Sequence, residues 1–77
     1  MTDGDPAAHP NPLAWHSLTS SNLRRCRWDP ETEQLSIQFV SGAVYEYDAV
    51  PISVYNGLLE SESPGRFFNQ NIKDIYG

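Results

Sequence analysis

Over residues 34–39 the side chains alternate without a break, Leu35, Ile37 and Phe39 against Gln34, Ser36 and Gln38. A period of two puts the first set on one face of a pleated strand and the second on the other, so the segment is a half-buried strand with one wet face. Ser41-Gly42 follows, and glycine tolerates the positive φ of a compact hairpin turn. Residues 43–48 return as a further strand, with Tyr45 and Tyr47 on one face and Val44 and Glu46 on the other. Upstream, residues 22–28 (NLRRCRW) read as a strand whose apolar members are Leu23, Cys26 and Trp28, and the 23-to-26 offset predicts a bulge. Between these two strands Asp29-Pro30-Glu31-Thr32-Glu33 supplies a turn: Pro30 presets φ, and the Asp29 carboxylate accepts a bond from the backbone after it.

Beyond Asp48 the period lengthens. Pro51 opens a helix in which Val54, Tyr55, Leu58 and Leu59 recur at helical spacing, and Gly57 weakens it by about 1 kcal/mol relative to alanine. Ser63-Pro64 restarts a helix, an N-cap hydroxyl followed by proline at the first position, with Phe67, Phe68, Ile72, Ile75 and Tyr76 as its apolar stripe. The fold class is therefore α+β: a three-stranded antiparallel meander followed by two short helices packed on one face. Residues 1–17 carry Pro6, Pro10 and Pro12 and only isolated apolar side chains, which predicts a flexible N-terminal tail ahead of a domain over residues 18–77. Trp15 is its exception, packing back on the domain or anchoring a partner. A three-stranded sheet leaves two edges open, and a homodimer would close one.

The formal charge of −5 opposes polyanions over the molecule as a whole, so any nucleic-acid contact has to be local. No apolar run approaches the roughly 18 residues needed to span a bilayer, and no membrane partner is expected. Cys26 is the single cysteine, which excludes an internal disulfide and a thiolate zinc site; His9 and His16 have no second ligand type beside them, so no metal is expected. The N-terminal residues lack the basic start and apolar stretch of an export signal, and the expected location is cytoplasmic.

The ordered series Ser20-Ser21, Leu35-Ser36-Ile37-Gln38-Phe39, Gly42, Tyr45-Glu46-Tyr47, Val50-Pro51, Tyr55 and Ser63-Pro64-Gly65-Arg66-Phe67-Phe68-Asn69, with Ile72 and Tyr76, resembles the KTSC domain. That small module is named for its place at the C-terminus of some lysyl-tRNA synthetases and also stands alone in bacterial and phage proteins. Trp28 departs from the smaller aromatic usual there. The resemblance implies no settled activity, and the suggestion of RNA binding rests on the company the module keeps.

Two constellations point to a phosphate-bearing ligand. Ser63-Pro64-Gly65-Arg66 sets free backbone N–H groups, a small residue and a guanidinium at one helix start, with Asn69 on about the same face. The plain alternative is a cap, with Arg66 paired to Glu60 or Glu62. Arg25 and Arg27 share a strand face near Trp28, with Arg24 on the other and Ser20 and Ser21 just before, an arrangement that can follow a backbone and stack a base. The alternative there is a solvated edge strand. Tyr45 and Tyr47 offer either a stacking platform or core packing. Catalysis has little support, because no nucleophile has an adjacent base, so no catalytic residue and no cofactor are expected. The expected function is a small non-catalytic module for RNA or a phosphate-bearing nucleotide, with sequestration of a signalling nucleotide as one form of it; the alternative is a protein-interaction or dimerisation module docking on a larger enzyme.

Overall fold

A computed structural model describes residues 13–76. Four strands, β1 (His16–Ser17), β2 (Leu23–Asp29), β3 (Gln34–Phe39) and β4 (Val44–Tyr47), precede α1 (Ile52–Glu60) and α2 (Pro64–Asn71). The strands form one antiparallel sheet in the order β1-β2-β3-β4. The sheet has one strand more than its alternation predicts. Residues 1–12 of the expected tail, with His9, lie outside the described residues, while His16 and Ser17 pair with Cys26 and Arg25. Two residues carry no period of their own, so β1 exists only through this pairing.

Register separates the two faces. Trp28, Leu35 and Tyr47 stand side by side across β2, β3 and β4, as do Cys26, Ile37 and Tyr45, and these rows face the helices. Arg27, Ser36 and Glu46 form the matching row on the other face, with Arg25, Gln38 and Val44 beside it. The ladder slips between Leu23 and Arg25, placing Arg24 in the bulge and keeping both Leu23 and Cys26 in the core. At the β2–β3 turn the Asp29 carboxylate accepts from the Glu31 N–H at 2.9 Å, and Glu33 closes the turn at φ 59°. Gly42, at φ 101°, turns β3 into β4.

The core joins Leu23, Cys26, Leu35, Ile37, Val50, Leu58 and Ile72, all with no exposed surface, to Trp28, Tyr55 and Phe68. Val50 is fixed twice: its N–H donates to the Glu33 carbonyl at 2.8 Å and its carbonyl accepts from the Trp28 indole at 2.8 Å. Gly57 has a packing reason that its helix propensity conceals. A Cβ there would lie 2.6 Å from Cζ of Phe67, so the missing side chain is the space into which that ring packs as α2 crosses α1.

Candidate functional site

The chain between β1 and β2 folds around one hydroxyl. Ser20 Oγ accepts from the backbone N–H groups of Asn22 and Leu23 at 3.1 and 3.2 Å, which fixes the Ser20-Ser21 loop at the entry to β2. A Cβ on Gly65 would sit 3.3 Å from that same oxygen, so loop and helix approach closely at this point. Between them opens a cleft of about 540 Å³, lined by Ser20, Ser21 and Asn22 on one side and by Glu62, Ser63, Gly65, Arg66 and Asn69 on the other.

Ser63 precedes the helix as expected, but its side chain does not cap it. Its backbone carbonyl accepts from Phe67, and its own N–H donates to Ser61 Oγ at 3.0 Å. Pro64 has no N–H to satisfy, and the Gly65 and Arg66 N–H groups belong to the first turn, where an α-helix supplies no acceptor. The cap reading also gave Arg66 a carboxylate partner. Among the described residues the Arg66 guanidinium pairs with neither Glu60 nor Glu62, and it is exposed. The cleft thus gathers uncommitted donors around one carboxylate, that of Glu62.

The other candidates lie elsewhere. Arg25 and Arg27 are on the sheet face turned away from the helices, where their guanidinium carbons sit 4.5 and 4.8 Å from the centre of the Trp15 ring. Arg25 Nε also donates to Gln38 Oε1 at 2.6 Å. Trp15 packs back on the domain and occupies the ground that a base would need beside these arginines. Trp28 is not a stacking surface. Only 4% exposed, it bonds Val50 through its indole N–H and stacks on Tyr55 at 5.9 Å, because a central strand position on the helix face is core. Cys26 is likewise buried, and burial pushes its thiol up to about 12, the reverse of what a nucleophile needs. No group of three metal-ligating side chains occurs among the described residues.

The two tyrosines of β4 divide. Tyr47 is half-buried edge-on against Phe68 at 5.6 Å, and burial, then Tyr45 and Asp74, raise its phenol's pKa. Tyr45 is 56% exposed and touches Phe39 edge-on at 5.4 Å. The reading of these residues as platform or core therefore resolves into one of each kind of environment.

The KTSC domain profile matches residues 19–76, which is the sheet from just after β1, both helices and both walls of the cleft. The chain belongs to the KTSC domain family. The crystal structure of a KTSC domain protein from Yersinia pestis superposes with a TM-score of 0.80 at 30% identity, covering 83% of this chain and 90% of that one. An uncharacterized protein of Stutzerimonas stutzeri is 51% identical over 57 residues, 74% of this KTSC chain and 80% of its own length. A lysine–tRNA ligase of Nostoc sp. is 38% identical over 53 residues, 69% of this chain but 9% of the ligase. Sequences similar to this chain thus make up most of one protein and a minor part of another, a lysine–tRNA ligase.

Proposed function

We propose that this KTSC domain is a non-catalytic binding module for RNA or a phosphate-bearing nucleotide, and that the phosphate lies in the cleft between the Ser20-Ser21 loop and the start of α2. One observation carries the reading: Arg66, Asn69, Ser20 and Ser21 line a single cleft in which the guanidinium has no carboxylate partner among the described residues. A phosphate there would accept from the guanidinium and from first-turn N–H groups, the charge-assisted bonds that this geometry makes strongest. The occurrence of a similar sequence within lysine–tRNA ligases agrees with an RNA setting. With a net charge of −5 the contact stays local, which suits one or two phosphates better than a long backbone track.

The test is affinity for a short single-stranded RNA and for a mononucleotide, measured across salt. Each phosphate contact adds roughly 0.7 to 0.9 to the log–log slope, so a fourfold rise in salt weakens binding about 3-fold per contact. Affinity that stays flat would end the proposal. A protein-interaction or dimerisation role has one observation in its favour: β4 is a sheet edge, and Val44 and Tyr45 on it are each about half exposed. Sedimentation of a dimer that Val44→Lys disperses would support it.

A further inference from the structure

The cleft does not end at Asn69. A second depression, of about 220 Å³, continues from it, and Asn22 and Asn69 line both. The walls change character across these two residues. On the far side they are four interlocked rings: Tyr45 edge-on to Phe39 at 5.4 Å, Phe39 edge-on to Phe68 at 5.5 Å, and Phe68 edge-on to Tyr47 at 5.6 Å. Lys73, four residues on from Asn69, also lines it. Polar donors with Arg66, then two carboxamides, then aromatic rings with Lys73, is an order that matches the groups along a nucleotide: phosphate, sugar, base.

We infer that the groove behind Asn22 and Asn69 is a nucleobase site, so that the ligand is a phosphate carrying its base and not a bare anion; this rests on the reading of the cleft as the phosphate site. Tyr45 is the stacking surface. It is the most exposed of the four rings, and the other three are held in the edge-on contacts that support it. The Asn22 and Asn69 carboxamides form no side-chain hydrogen bonds among the described residues and stand where a ribose or a base edge would pass. The Lys73 ammonium is exposed and without an ion pair there, which adds attraction for a second phosphate or an electron-rich base face.

The experiment titrates the full chain with a 5′-mononucleotide, with ribose 5-phosphate and with a single-stranded trinucleotide, following amide shifts. Stacking one base predicts that the mononucleotide binds about 5- to 150-fold more tightly than ribose 5-phosphate. Tyr45→Ala should abolish that preference while leaving ribose 5-phosphate unchanged, and Tyr45→Phe, which keeps the ring, should retain it. Arg66→Ala should weaken both ligands. Equal binding of the two ligands, or a preference that survives Tyr45→Ala, overturns the nucleobase site and leaves the phosphate cleft standing. Indifference of both ligands to Arg66→Ala overturns the cleft and the base site with it. A trinucleotide that matches the mononucleotide identifies a free nucleotide as the source of this chemistry, and one that binds far more tightly identifies a strand.

Discussion

Gly57→Ala should show how the two helices are spaced. Taken locally, the change helps: alanine is about 0.8 to 1.0 kcal/mol better than glycine inside a helix. Across the interface it hurts. The new Cβ would stand 2.6 Å from Cζ and 2.9 Å from Cε2 of Phe67. Carbon atoms rest roughly 3.5 to 4.0 Å apart, so the ring must retreat by about 1 Å. Phe67 is half-buried and packs on the core, and forcing a packed ring aside costs about 1 to 3 kcal/mol. The net expectation is a loss of about 0 to 2 kcal/mol. Phe67→Leu separates the terms, because leucine keeps the branched stem and lacks both colliding atoms. In that background Gly57→Ala should stabilise by about 1 kcal/mol, giving a coupling energy of about 1 to 3 kcal/mol. Urea unfolding of the four proteins, with m held constant, measures it. If Gly57→Ala stabilises by the same amount with Phe67 present and absent, the ring does not occupy the glycine's space and the reasoning fails.

Other substitutions probe the core and the two faces. Tyr55→Phe should leave stability unchanged or raise it by up to about 1 to 3 kcal/mol, because the hydroxyl it removes is buried without a hydrogen-bond partner among the described residues; a lower urea midpoint would contradict this. Trp28→Phe orphans the Val50 carbonyl and should cost about 1 to 3 kcal/mol while leaving nucleotide affinity intact, a pairing that calorimetry and titration check together. Trp15→Ala removes two cation–π contacts of about 0.5 to 1 kcal/mol each and should not change mononucleotide affinity, since the arginines it frees face away from the cleft. Alkaline pH should unfold the domain. Burial raises the Cys26 thiol from 9.0 to about 12, and burial, then Cys26, raise the Tyr55 phenol from 10.0 to about 12. The unfolded chain therefore loses these protons first, so their contribution is complete below pH 9 and falls as pH rises toward 12. The thiol alone gives a slope of about 1.4 kcal/mol per pH unit. Cys26→Ala should flatten the pH dependence above 9, as read by chemical denaturation in a pH series.

The elements written in local pattern were legible. Alternation placed β3 and β4, the 23-to-26 offset announced the bulge where the ladder slips, and Pro51 and Pro64 marked the helix starts. Features made by distant partners were not. Trp28 reads both as an apolar member of β2 and as a stacking aromatic among arginines, because the partners that decide between them, Val50 and Tyr55, lie beyond β4 in sequence. Arg25 and Arg27 looked free because the ring that covers them belongs to a segment whose composition predicts a tail. At the candidate site, Arg66 and Asn69 could be named from the helix start and helical spacing and Ser20 and Ser21 from their place before the arginines of the first strand, but neither the uncapped Ser63 nor the groove beyond Asn69 leaves a trace in local sequence. Only the tertiary crossing of α2 over the sheet creates them.

The strands lie in space in the order in which they leave the chain. Each ladder therefore closes over a short loop, and no strand waits for a distant partner before it can pair. Assembly by local closure is the fast route for a sheet, because little loop-closure entropy is lost before the strands pair. The candidate cleft is different: it joins the Ser20-Ser21 loop to the start of α2 across about forty residues of chain, so it forms only when the helices dock on the sheet. On the proposed reading, a nucleotide held in that cleft should slow unfolding without hastening folding, as stopped-flow traces with and without it would record.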